Sequence, residues 1–381
     1  MPNAKTSPRK PLIATVFGTR PEAIKMAPII RALRARDEFS TLVISTGQHK
    51  QMLAQILGRF EIKVDHEMDL MEPNQSLYRL SSKAIAAFEQ VLTAEGKRPD
   101  MLLVQGDTTT AFLGALCAFY AKIPVGHVEA GLRTGDKYNP FPEETNRRLI
   151  TAVADLNFCP TEGNKKHLLR EGIAESTVLV TGNSGIDTLL LASRMRHPFP
   201  LPELDLKGKR LILITVHRRE SFGEPMIRIF SAIRDLALAY KDVEVVYPVH
   251  LNPNVQQPAK EILGAVPNIH LVPPMDYFDF VQMMAKAHLI LTDSGGVQEE
   301  APTLGVPVLV LRNETERPEA VEAGTVRLVG TRREDIVRAA RLLLDYESER
   351  RQLIAASNPY GDGHAAPRIV SAILKLFELG D

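Results

Sequence analysis

The sequence predicts an α/β protein built from two doubly wound, parallel-sheet domains. Short apolar runs recur along the whole chain without polar alternation, as expected of strands covered on both faces. Helical patterns lie between them, and strands alternating with helices make parallel sheets through right-handed crossovers. At 381 residues the chain exceeds one ordinary core and suits two domains.

The elements follow in order. In the first half the apolar runs are 12–17, 41–46, 101–105, 124–128, 156–159 and 178–180. Helical patterns there cover 22–36, 75–95, 109–121 and 146–153. The stretch Arg196-His197-Pro198-Phe199-Pro200-Leu201-Pro202 has a proline density that no helix or central strand accepts, so it reads as the link between domains. Beyond it the runs are 211–216, 243–249, 269–272, 289–292, 306–311 and 326–329, with helices at 225–240 and 277–287. Asn358-Pro359-Tyr360-Gly361-Asp362-Gly363 then breaks the chain before a last helix at about 366–379.

Composition narrows the function classes. Apolar residues make up 44% and charged residues 24%, ordinary for a soluble globular protein. Lys+Arg and Asp+Glu both number 46, so no global field draws the chain to nucleic acid or a membrane, and an anion must be held by local groups. Cys117 and Cys159 are too few for a disulfide framework or a thiolate metal cluster, which points to a reducing compartment. Lys5, Arg9 and Lys10 precede the run 12–17 as in a signal peptide, but the run is too short and Gly18-Thr19-Arg20-Pro21-Glu22 replaces a cleavage site. No segment approaches the ~20 apolar residues of a membrane span. The expectation is a cytoplasmic protein.

Ligands of open α/β sheets bind beyond the carboxyl ends of the strands, and two such edges facing each other make a cleft. Asp293-Ser294-Gly295-Gly296-Val297-Gln298-Glu299-Glu300 follows the run 289–292 and is the most informative motif. Its glycines let a ligand approach the backbone, the helix start offers N–H groups to a diphosphate, and Glu300 suits ribose hydroxyls. A plain strand-to-helix turn with solvated Glu299 and Glu300 reads equally from these residues alone. Arg20 and Lys25 follow the first strand as anion clamps, against salt bridges to Glu22 as the plainer reading.

Asp107, Glu129 and Glu143 stand at neighbouring strand ends or helix starts. In one pocket their repulsion and desolvation raise one pKa toward neutrality, as acid–base work requires; the alternative makes them unrelated helix-start acids, with Asp107 an N-cap. His217, with Arg218 and Arg219, suits a diphosphate. Metal-ligand spacing is missing, and so is a Gly-x-Gly-x-x-Gly after the first strand, which argues against a metal site and against NAD.

Taken together, residues 18–28, 105–110, 127–134, 142–148, 217–223, 293–302 and 315–319 resemble, in order, the motifs of the bacterial non-hydrolysing UDP-N-acetylglucosamine 2-epimerase family. The resemblance runs from about residue 12 to 364. It implies a GT-B-like fold, two Rossmann-like domains facing across a central cleft: residues 1–195, rejoined by the C-terminal helix at about 365–381, and a UDP-binding domain at 196–364. It implies interconversion of UDP-N-acetylglucosamine and UDP-N-acetylmannosamine, through elimination of UDP to 2-acetamidoglucal and re-addition, with no cofactor.

By the same likeness Asp107, Glu129 and Glu143 handle the C2 proton and His217 completes the catalytic set. Arg20, Lys25, Arg147, Ser294, Gly295, Gly296 and Arg317 hold the substrate, Phe280 lies on the uracil side and Glu300 takes the ribose. Phe280 reads from periodicity as a core aromatic too. Gln48, Gln51, Glu144, Arg218 and His250 match positions where some members bind a second UDP-N-acetylglucosamine as activator, although Asn74 stands where some activated relatives carry arginine. A homodimer, a role in cell-surface polysaccharide synthesis and no nucleic-acid or membrane partner complete the expectation. The rivals are a hydrolysing epimerase, a GT-B glycosyltransferase and a nucleotide-sugar sensor.

Overall fold

The structure, a computed structural model, describes residues 9–48, 50–72 and 74–379, apart from the side chains of residues 50–52. The chain divides into two compact units. One runs to Thr188 and is rejoined by the segment from Gly361; the other is Leu189–Tyr360.

The first unit holds strands β1 (Leu12–Phe17), β2 (Ser40–Ser45), β3 (His66–Glu67), β4 (Met101–Gln105), β5 (Val125–Val128), β6 (Leu156–Cys159) and β7 (Val178–Val180). They form one parallel sheet in the order β3-β2-β1-β4-β5-β6-β7. The apolar runs predict six of these. The seventh, β3, is two exposed polar residues at the sheet edge and carries no apolar signal.

The second unit holds β8 (Arg210–Thr215), β9 (Val243–Pro248), β10 (Ile269–Val272), β11 (Leu289–Thr292), β12 (Val308–Val310) and β13 (Val326–Leu328), paired in parallel as β10-β9-β8-β11-β12-β13. Both units are therefore doubly wound, and the winding reverses between β1 and β4 in one and between β8 and β11 in the other. Open α/β sheets bind ligands at such reversals.

Burial on both faces explains the unbroken apolar strands. In the first unit Ala14 and Val16 join Leu102 and Val104 under Ala84, Phe88, Ala111 and Ala115 of helices Leu77–Leu92 and Thr109–Tyr120. In the second, Ile212, Ile214, Leu289 and Leu291 pack with Phe230 and Ile233 of helix Glu224–Ala239. Each such large side chain, fully buried, contributes about 1.5–3 kcal/mol.

The helix starts follow their caps. Thr19 and Glu22 form a capping box at Arg20–Arg34, with proline in its first turn, so this helix begins two residues before the apolar pattern does. The last helix, Ala365–Leu376, packs against Arg20–Arg34. Its first amides, Ala365 and Ala366, donate to the buried Asp187 carboxylate at 3.1 and 2.9 Å. Among the described residues no helix is long and apolar enough to cross a membrane.

Candidate active site

In the first unit the loops after β1, β4 and β5 meet at the sheet reversal. Glu22 ties two of them together: its Oε2 accepts from the Gly18 and Thr19 amides at 2.9 and 2.7 Å, and its Oε1 accepts from Thr108 Oγ1 at 2.6 Å. Gly18 has to be glycine, because a Cβ there would collide with the Thr46 hydroxyl at the end of β2. Thr108 is the residue that caps helix Thr109–Tyr120, accepting from the Ala111 amide at 3.1 Å. The capping role considered for Asp107 thus falls to its neighbour.

Asp107 instead faces Arg147, whose Nη2 lies 3.2 Å from Oδ2. Arg147 and Asn146 are buried on helix Glu143–Val153, and Asn146 fixes the turn by donating to the Asp107 carbonyl at 2.9 Å. Glu129 follows β5 with φ 68°, a left-handed conformation. One of its carboxylate oxygens takes the Lys25 ammonium at 2.5 Å and the other accepts from the Gln105 side-chain amide.

Asp107, Glu129, Glu143, Lys25 and Arg147 therefore share one electrostatic neighbourhood. Burial, assisted by Glu129 and Glu143, pushes the Asp107 carboxyl up to about 6 against the pull of Arg147 and Lys25. That is a carboxyl able to exchange a proton near neutrality, next to one held between an ammonium and an amide.

In the second unit the loops after β8 and β11 meet in the same way. Asp293, fully buried, accepts from the His217 and Arg218 amides on Oδ2 at 2.8 Å each, and its Oδ1 lies 3.5 Å from His217 Nδ1. Burial pushes Asp293 up and His217 down, while the opposite charge of each partner resists the shift. His250 stacks on His217 with ring centroids 5.6 Å apart and planes inclined by 15°.

Thr292 Oγ1 accepts from the Ser294 amide at 2.9 Å and shapes the turn into helix Gly295–Glu300. A Cβ on Gly295 would meet Arg218 Nη2 at 3.6 Å and the Arg317 guanidinium at 3.8 Å, while one on Gly296 would meet nothing within 4 Å. Two guanidinium groups thus flank a glycine turn, with open space beside it. Arg317 is oriented by Glu299, and its own amide donates to Thr315 Oγ1 at 3.1 Å. Glu300, half-buried, ends this helix. Phe280 is half-buried, whereas its neighbours Tyr277 and Phe278 take the core positions of helix Tyr277–Lys286.

Of the remaining candidates, Gln48 accepts from Thr110 Oγ1 at 3.3 Å and His250 is exposed beside His217. The Gln51 side chain lies outside the described residues. Glu144 is fully buried and accepts from the Thr134 and Gly135 amides at 3.0 and 3.3 Å, with Arg148 at 3.1 Å. Burial raises its carboxyl, but the Thr134 amide, Arg148 and Arg147 together hold it below the ordinary value.

Three supporting residues lie inside the motifs that the sequence singles out, but their individual roles do not read from it. Gln105 and Asp293 look from sequence like ordinary polar strand ends. The third, buried His127, donates from Nε2 to the Gly106 carbonyl at 2.8 Å, and burial holds its imidazole down at about 4.

The UDP-N-acetylglucosamine 2-epimerase family profile matches residues 31–374. The chain is 50% identical to the UDP-N-acetylglucosamine 2-epimerase of Bacillus subtilis (strain 168), over 96% of both chains. It is also 50% identical to that of Escherichia coli (strain K12), over 95% of this chain and 98% of the relative. The crystal structure of the Neisseria meningitidis UDP-GlcNAc 2-epimerase bound to UDP-GlcNAc superposes with a TM-score of 0.83 at 47% identity, covering 96% of this chain and all of the other.

Proposed function

The chain belongs to the UDP-N-acetylglucosamine 2-epimerase family, and from that premise we propose how its residues divide the reaction. The activity is interconversion of UDP-N-acetylglucosamine and UDP-N-acetylmannosamine. C2 of the sugar has no carbonyl neighbour to acidify its proton, so direct abstraction and return is slow. Elimination avoids this. A carboxylate takes the C2 proton, the C2–H pair becomes the C1=C2 double bond, and UDP leaves with the C1–O pair to give 2-acetamidoglucal. UDP then adds back to C1 while a proton reaches C2 from the opposite face.

The single observation behind our assignment is the grouping of Asp107, Glu129 and Glu143 with Lys25 and Arg147. One carboxyl that exchanges its proton near neutrality beside an anion held between donors suits removal and delivery of that proton. The leaving UDP falls to Arg20, His217, Ser294–Gly296 and Arg317, with Glu300 on the ribose and Phe280 on the uracil side; developing charge on the diphosphate is what such donors stabilise.

We infer a second UDP-N-acetylglucosamine as activator, and a cytoplasmic homodimer that supplies cell-surface polysaccharide synthesis.

The test is a proton NMR time course of UDP-N-acetylglucosamine with the pure protein in D2O and EDTA. The expected result is deuterium at C2 together with a UDP-N-acetylmannosamine signal. Free N-acetylmannosamine with UDP would mean that water captures the intermediate. No exchange and no product would remove the reading.

A further inference from the structure

The Asp293 carboxylate does more than close a turn. Its Oδ2 alone satisfies the His217 and Arg218 amides, at 2.8 Å each. Its Oδ1, buried and without a hydrogen bond among the described residues, faces His217 Nδ1 at 3.5 Å. An asparagine carbonyl would hold the same two amides. Only a carboxylate also presents a second anionic oxygen to an imidazole N–H.

We propose that Asp293 is a positioning residue for His217, holding Nδ1–H toward its own Oδ1 so that Nε2–H of the imidazolium donates to the departing diphosphate. The inference rests on the UDP reading given above. The ring is held at its edge by Asp293 and on its face by His250, stacked at 5.6 Å. Without nucleotide, burial favours the neutral form of both partners; a diphosphate arriving at Nε2 favours the imidazolium, and with it the Asp293 anion. The 3.5 Å gap is of the kind that tightens when ligand binds. Breaking C1–O adds negative charge to the diphosphate, so the cationic donor is worth more to the transition state than to bound substrate. Its loss falls on kcat more than on KM.

Steady-state kinetics of the full chain, with Asp293→Asn, His217→Gln and the double variant, tests this. Asp293→Asn is expected to lower kcat on the order of 100-fold with KM little changed. The double variant is expected to be no worse than His217→Gln alone. Additive losses would mean that Asp293 acts through the loop and not the histidine, and overturn the proposal, as would a kcat for Asp293→Asn within a few-fold of wild type.

Long-range 1H–15N spectra of histidine-labelled protein with UDP give a second readout, with His217 assigned by its loss in His217→Gln. Both ring nitrogens are expected to be protonated in the wild type and not in Asp293→Asn; a neutral His217 in the wild-type complex overturns the proposal. This spectrum decides alone if Asp293→Asn does not fold. It also stands apart from turnover: a wild type that binds UDP without epimerising its sugar defeats the reaction assigned, not the Asp293–His217 pair.

Discussion

The Lys25 ammonium lies 2.5 Å from Glu129 Oε1, joining the first helix to the end of β5 across 104 residues. The Glu129 backbone stands at φ 68°, a conformation that costs a non-glycine residue about 1–3 kcal/mol. Placing the carboxylate between Lys25 and Gln105 therefore comes with backbone strain. Glu129→Gly and Glu129→Ala lose the same carboxylate, but only the first relieves the strain. Urea unfolding is expected to rank the glycine variant above the alanine variant by about 1 kcal/mol. Both are expected to lose on the order of 100-fold or more in turnover. Turnover within tenfold of wild type in both would remove Glu129 from proton handling.

Asp107 predicts two pH effects. Its pKa of about 6 lies above the ordinary aspartate value of 3.8. Between these values the native state holds a proton that the unfolded chain has lost, so this group's contribution to stability falls as pH rises through that window. Below it the contribution is level, and above it the loss is complete. Asp107→Asn is expected to gain stability relative to wild type between about pH 4 and pH 6, measured as the difference in urea unfolding at each pH. In kinetics, kcat/KM is expected to bend near pH 6 in the wild type and not in Asp107→Asn. Arg147→Met removes the cation that holds Asp107 down, so its bend is expected at higher pH.

The sheets were legible because their strands are buried on both faces. The run 289–292 is apolar but for Thr292, and Leu289–Thr292 is buried throughout. Strand β3 was not, because His66 and Glu67 pair at an exposed edge through backbone groups and bury no apolar side chain. The site divides along the same line. Asp107 and Glu129 stand out as carboxylates at strand ends, but sequence leaves capping open at Asp107; the structure removes that role, because Thr108 takes the helix amide. Gln105, His127 and Asp293 bond to Glu129, to the Gly106 carbonyl and to the His217 and Arg218 amides, and such contacts depend on loops that meet only after the sheet reverses its winding.

Asp187 fastens the returning helix. Its two carboxylate oxygens each take one amide, from Ala365 and Ala366, at a position only 5% exposed. Burial raises this carboxyl, so the amides are what keep an anion there tolerable. Asp187→Ala loses both acceptors at the helix start and is expected to destabilise the first unit by about 1–3 kcal/mol. Asp187→Asn keeps one acceptor but turns an amide NH2 toward the other N–H, and is also expected to lose stability. Limited proteolysis is the direct check: cleavage near residues 356–363 is expected to speed up in both variants. Unchanged cleavage would mean that packing against helix Arg20–Arg34 holds the segment without the cap.

Gly295 separates ligand space from folding space. An added Cβ would sit 3.6 Å from Arg218 Nη2 and 3.8 Å from Arg317 Cζ, ordinary contact distances that the fold accommodates. The same methyl would stand between the two guanidinium groups, where the diphosphate, as proposed above, would approach the backbone closely. Gly295→Ala is therefore expected to keep its melting temperature within about 2 °C of wild type. UDP affinity, measured by calorimetry, is expected to fall about tenfold or more, which corresponds to roughly 1.4 kcal/mol. A variant that melts much earlier would show that the glycine serves the turn itself. One that binds UDP as the wild type does would place the diphosphate away from Gly295, and Arg317→Ala would then be expected to leave UDP affinity unchanged as well.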